Sequence, residues 1–170
     1  MKHEKRVFEF DLVFSLPKGN ANEDALLDAL FEAGCDDAVV GLGAPGLIAV
    51  SLERAGDDAE TVISEAATQV LSALPEGAEL REVRPDLVSQ ADVAARLGVT
   101  RQALQKRELP APAVGGLYRM SELYPRLAES RRGKLAAKVD AARAWFEASQ
   151  GAQRINARIS LGEIEFRKTA

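Results

Sequence analysis

Apolar and polar residues nearly alternate near the start of the chain. Val7, Phe8, Phe10, Leu12, Val13, Phe14 and Leu16 form a β-rich run broken by Glu9, Asp11 and Ser15, the period-two pattern of a strand with one buried face. Pro17-Lys18-Gly19-Asn20 stops it in a turn. The period then lengthens. Ala25, Leu26, Ala29, Leu30 and Ala33 recur every three or four residues, which places them on one side of a helix that Asn22 can cap and Gly34 can end. Residues 37–41 and 47–52 return to strand composition, with the turn formers Gly43, Pro45 and Gly46 between them. Asp58 opens a second amphipathic helix bearing Val62, Ile63, Ala66, Val70 and Leu74, and Pro75-Glu76-Gly77 closes it. Residues 78–83 supply a last short strand.

The order strand, helix, strand, strand, helix, strand predicts an α+β fold with a ferredoxin-like βαββαβ domain over residues 1–86, an antiparallel sheet with two helices on one face. That fold hosts many activities and names none, so an accessory role in dimerisation, sensing or partner binding is expected. Arg84-Pro85-Asp86 breaks the last strand, and a different pattern follows. Ser89 with Asp92 three residues later fits a capping box. Val93, Ala94 and Leu97 give the ensuing helix an apolar face, and Gly98 can take the positive φ of a tight turn. Thr100 caps a second helix, expected from Arg101 to about Glu108, which Pro110 ends.

Two helices crossing almost at right angles over a short turn need small and apolar residues at fixed offsets. Ala94 is small where they cross, while Val93, Leu97, Val99 and Leu104 fill buried offsets. The last buried offset falls on Arg107, a departure that Leu109 can compensate. Thr100, Arg101, Gln102, Gln105 and Lys106 then point outward. Arginine can grip guanine in a bidentate manner, glutamine can pair with adenine, and lysine or threonine can hold phosphates. Residues 110–123 read as an extended leg, a Gly115-Gly116 hairpin turn, a second strand, and a helix capped by Ser121.

Over residues 87–123 this arrangement resembles the winged helix-turn-helix of excisionase-like and MerR-like DNA-binding proteins. The resemblance implies Thr100 to Lys106 in the major groove and the wing, with Arg119, on the neighbouring backbone or minor groove. Residues 1–86 and the tail lie outside it.

Residues 124–170 are expected as a helical tail, with Pro125 in a first turn and Gly133 weakening the middle. Leu135, Val139, Ala142 and Phe146 form a short stripe beside Trp145, suited either to a two-fold mate or to packing on its own domain. Arg131, Arg132 and Lys134 form a basic cluster that can reach phosphates or stay hydrated. Ile155, Ile159, Leu161, Ile164 and Phe166 are too many apolar residues for an indifferent end, and suggest a dimer contact or a docking segment ordered on binding.

Charge sharpens the division. Residues 1–86 hold 7 Lys/Arg against 18 Asp/Glu, a balance of −11, and residues 87–170 hold the other 15 and 8, a balance of +7. The second part suits a polyanion. Hydrophobic residues at 46% and charged residues at 28% argue against wholesale disorder. No apolar run approaches the roughly 20 residues of a membrane span. Glu9 and Asp11 interrupt the first apolar stretch, so no secretory signal is read and a cytoplasmic location is expected.

One cysteine, Cys35, and one histidine, His3, cannot build a disulfide or a zinc site within one chain. Cys35 is read as packed. Gly41-Leu42-Gly43-Ala44-Pro45-Gly46 matches a dinucleotide-binding GxGxxG by letter, but the loop must open a helix to hold a pyrophosphate, and strand composition follows here. Asp36-Asp37 and Asp57-Asp58 read as loop and cap residues. No catalytic residue, metal or cofactor is therefore expected, and an enzyme is the weakest class. The expected function is a homodimeric, sequence-specific transcriptional regulator reading an inverted repeat in double-stranded DNA. The alternatives are an antitoxin-like autoregulator that neutralises a protein partner through the acidic domain or tail, and an excisionase-like architectural protein.

Overall fold

Strand β1 (Arg6–Ser15) is the spine of the front half. Its even positions Phe8, Phe10, Leu12 and Phe14 point into one core, each at most 1% exposed. Helix α1 (Glu23–Glu32) follows, with the Asn22 side chain accepting from Ala25 N–H, and then strands β2 (Val39–Gly41) and β3 (Leu47–Gly56). Helix α2 (Ala59–Ala73), capped by Asp58 through Thr61 N–H, leads to β4 (Glu79–Arg84). The strands form one antiparallel sheet in the order β2-β3-β1-β4. Phe10 faces Leu52, Leu12 faces Val50 and Phe14 faces Ile48, so the inward rows are continuous with Leu26, Leu30, Ile63, Ala67 and Val70 from the helices. The GxGxxG letters lie in the β2–β3 hairpin, where Gly46 takes φ +74°, and no helix begins there. The structure, a computed structural model, describes residues 5–19, 22–129 and 133–170.

The second half is built from short elements: β5 (Leu87–Val88), α3 (Gln90–Leu97), α4 (Arg101–Gln105), β6 (Tyr118–Arg119), α5 (Met120–Ala128), α6 (Lys134–Ala141) and α7 (Arg143–Ser160). Val88, Val93, Leu97, Leu104, Met120, Leu123 and Leu127 enclose a second core. The stripe Leu135, Val139, Ala142 and Phe146 is buried in that same core, which leaves it unavailable to a two-fold mate. Its helix is interrupted at Ala142, the boundary between α6 and α7. Phe146 stacks on Tyr124, ring centroids 4.7 Å apart, and meets Trp145 edge-on at 5.1 Å.

Two local expectations change here. Ser121 does not cap α5: the helix begins at Met120, with Arg119 at the N-cap position and no side-chain cap. Met120 is 1% exposed and its N–H donates to Asp86 O at 2.8 Å, so burial and a backbone bond set the start two residues earlier. Pro125 consequently lies inside the helix, past its first turn, and buried Leu123 and Leu127 hold the turn that lacks its N–H.

The end of the chain is also placed differently from expectation. Helix α7 runs out of the second core and along the front sheet beside α2, burying Ala148, Ala152 and Ile155 with the β1 phenylalanines. Ile159, Ile164 and Phe166 pack on that core, and only Leu161 among the apolar residues named above stays largely exposed. Leu80 N–H donates to Phe166 O at 2.9 Å, Gly77 N–H to Lys168 O at 2.9 Å, and Lys168 N–H to Ala78 O at 2.8 Å. Further along the same strand, the Asn156 side chain accepts from Val83 N–H and donates to Val83 O, both at 2.8 Å. This segment therefore covers the outer edge of β4 within its own chain, because an open strand edge leaves backbone groups unpaired. Among the described residues no helix is long and apolar enough to cross a membrane.

Gly151 explains how α7 comes so near. A Cβ at this position would stand 2.6 Å from the Ala59 carbonyl carbon and 2.6 Å from Glu60 N. Alanine there gains about 1 kcal/mol of helix propensity but forces the backbones apart, so Gly151→Ala should destabilise by about 1–3 kcal/mol in urea unfolding. A variant as stable as the parent would exclude the close approach. Asn156→Ala orphans both Val83 groups and should cost about 1–3 kcal/mol in the same assay.

Candidate nucleic-acid interface

Two short helices, α3 and α4, follow the capped positions Ser89 and Thr100, and their local chemistry shows why. Ser89 Oγ accepts from Asp92 N–H at 3.1 Å, while Asp92 Oδ2 accepts from Ser89 N–H at 2.8 Å and from its hydroxyl at 2.7 Å. These reciprocal bonds satisfy donors that a helix start leaves open, and they hold the Asp92 carboxyl below the usual carboxylate range. Helix α3 ends at Gly98, whose φ of +64° is left-handed. Nothing lies within 4 Å of a Cβ placed there, so glycine answers to backbone conformation rather than space. Val93, Ala94, Leu97 and Leu104 are at most 5% exposed, and Val99 is partly buried against them.

Helix α4 is shorter than expected. It spans Arg101–Gln105, with Thr100 Oγ1 accepting from Ala103 N–H at 3.2 Å. The chain turns out through Lys106 and Arg107, whose N–H groups donate to Gln102 O and Leu104 O. Leu109, which precedes Pro110, is disfavoured from helical geometry. Arg107 is exposed and Leu109 partly buried against the second core, the exchange that the sequence allowed.

Thr100, Arg101, Gln102, Gln105 and Lys106 are all exposed on this one short element. Among the described residues, the Arg101, Gln102 and Lys106 side chains make no hydrogen bond or ion pair. Gln105 is different. Its Nε2 donates to Gln90 Oε1 at 3.3 Å, and Gln90 Nε2 donates to the Tyr118 hydroxyl at 2.8 Å. A chain of polar contacts thus joins α4, α3 and β6, which holds Gln105 in place as much as it presents it.

The wing differs in its pairing. Gly115 and Gly116 both take positive φ, +57° and +77°, and Ala113 N–H donates to Leu117 O across the turn. The leg before the turn makes a single bridge, Val114 to Leu117. The second strand, β6, pairs instead with β5, Leu87 opposite Arg119 and Val88 opposite Tyr118. The apolar pair at 87–88, just before the Ser89 cap, was the signal for that strand, but two residues carry no readable period. Arg119 is partly buried on β6, in a different element from Thr100 to Lys106.

Two other cations of this half, Arg96 and Lys138, are committed within the chain. Arg96 pairs with Glu9 of β1 and lies over the Trp145 ring, 5.4 Å from its centroid. Lys138 Nζ donates to Gly98 O at 3.0 Å, bracing the turn. Lys134 is exposed, whereas Arg131 and Arg132 fall outside the described residues, as does His3.

Elsewhere the candidate chemistry resolves into structure. Cys35 is buried, and burial pushes its thiol up. Asp37 is tied to Arg54 at 2.6 and 3.1 Å, which lowers its carboxyl, and Asp58 serves as a cap. A cavity of about 340 Å³ between the start of α2, α5 and α7 is lined by Glu60, Arg154, Tyr124 and Glu147 among others, and Glu60 is already paired with Arg154 and Arg158. Among the described residues no group of three or more His, Cys, Asp or Glu converges as a metal site. No family model, curated protein or solved structure matches the chain, so a functional reading rests on the residues themselves.

Gly98→Ala should cost about 1–2 kcal/mol, the penalty of a left-handed L-residue, measured by thermal or urea unfolding. Folding lowers the Asp92 pKa, so its stabilisation is present above the unfolded carboxylate value of about 3.9 and is lost as pH falls through the lower folded value. Asp92→Asn should therefore flatten the acid limb of stability against pH. An unchanged limb would assign that slope to other carboxylates.

Proposed function

We propose that the chain binds double-stranded DNA through residues 87–123 and acts as a homodimeric, sequence-specific transcriptional regulator. One observation carries the reading: a small helix pair joined at left-handed Gly98 presents Thr100, Arg101, Gln102 and Lys106 together, exposed. A glycine turn and a β6 strand stand beside it. These features support a winged helix-turn-helix, and the βαββαβ order with strand order β2-β3-β1-β4 supports a ferredoxin-like front domain. Arg101 and Gln102 have the donor and acceptor geometry for base edges, and Lys106 and Arg119 suit phosphates. The positive balance of residues 87–170 favours the same ligand.

Five residues of helix reach few base pairs, so a single copy reads a short half-site and a second copy adds the specificity that two-fold symmetry provides. Selection from a random duplex library should enrich an inverted repeat. Arg101→Ala should weaken binding to that site by about 1–3 kcal/mol and relax one base position. Equal losses on selected and random DNA would remove Arg101 from base reading. Lys106→Ala and Arg119→Ala should weaken both DNAs alike and reduce the salt dependence of binding.

A further inference from the structure

The exposed side of α1 combines two locally unfavourable features. Four of the six phenylalanines are at most 1% exposed and Phe166 is partly buried, but Phe31 is 66% exposed. Leu27, one helical turn before it, is 43% exposed, so the two form an exposed apolar stripe about 100° around the helix from buried Leu26 and Leu30. Carboxylates surround that stripe: Glu23, Asp24, Asp28 and Glu32 all lie on α1, which has no basic residue. Among the described residues none of the four makes an ion pair. Glu32 stands in the last turn, where a negative charge opposes the helix dipole. A helix that leaves a phenyl ring in water and an anion at its C-terminal end departs from local consistency twice on its exposed surface, and such departures concentrate at functional surfaces.

We propose that this face of α1 docks a basic protein partner, with Phe31 and Leu27 as apolar anchors and the surrounding carboxylates meeting cationic side chains. Charge decides the occupant. Two copies meeting through α1 would set eight carboxylates of these helices against one another, and nucleic acid would be repelled outright. A cationic amphipathic segment satisfies both the stripe and its rim, in the manner of a helix laid on an apolar strip. Position allows this docking to coexist with DNA binding. Helix α1 packs on α2, α2 packs on α7, and the second core lies at the other end of α7. The α1 face and α4 are thus on separate parts of the chain, and the docking does not depend on the DNA reading.

The test uses the full chain and two synthetic peptides of about 18 residues, one of leucine and lysine in helical register and one with serine replacing leucine. Binding of the leucine–lysine peptide should fall at least about tenfold in Phe31→Ser and further in Leu27→Ser/Phe31→Ser, with a Leu161→Ser control unchanged. Amide shifts on titration should centre on α1. Equal binding of the two peptides, indifference to Phe31→Ser, or shifts centred elsewhere would each overturn the proposal. Self-association in sedimentation equilibrium that Phe31→Ser abolishes would also overturn it, by making a second copy the occupant. Because Phe31 and Leu27 are exposed, unaltered thermal unfolding of both variants separates lost docking from lost fold.

Discussion

Helix α7 belongs to two hydrophobic cores at once, and the arrangement of the chain depends on that sharing. Phe146 near its start closes the second core against Tyr124, while Ala148, Ala152 and Ile155 close the first against β1. The small residues are there for distance. Gly151 and the alanines let α7 approach the start of α2 until backbone meets backbone, a contact in which a single extra methyl is felt. Where the helix passes β4, Asn156 stands in for a missing strand by bonding both Val83 groups, and it also donates to Asp86 Oδ2 at 2.9 Å. The connection between the two halves is therefore held by hydrogen bonds as well as by packing.

Electrostatics reinforces this join. Glu9 and Glu53 lie opposite each other on β1 and β3, a like-charge pair that opposes the sheet. Arg96 of α3 reaches Glu9 while its guanidinium also rests on Trp145. One cation of the basic half thus relieves repulsion in the acidic half, and is thereby withdrawn from the face that α4 presents. The remaining charge separation suits two contacts of opposite sign: a polyanion at the proposed reading helix and a cationic surface at α1.

Sharing also bears on the proposed regulator. With α5, α6 and α7 all packed into the core behind α3 and α4, a two-fold contact in this chain has to use surfaces outside that stripe. The β4 edge is occupied by residues 166–168 and Asn156. Free pairing capacity in the sheet lies at β2, the strand at its other edge.

Much of this architecture was legible from local chemistry. The period-two run in β1, the caps at Asn22, Asp58, Ser89 and Thr100, and the left-handed turn at Gly98 are determined by residues within a few positions of one another, and sequence alone exposes such signals. So were the buried offsets of α3 and α4 and the exposed set from Thr100 to Lys106. What tertiary structure decided is where segments distant in sequence meet. The start of α5 at Met120, the pairing of β6 with β5, and the fate of the apolar residues from Ile155 to Phe166 all turn on partners many residues away. An apolar stripe states that a surface must be covered. Which surface covers it is settled only when the competing cores are assembled, because hydrophobic burial is non-directional and accepts any neighbour that excludes water.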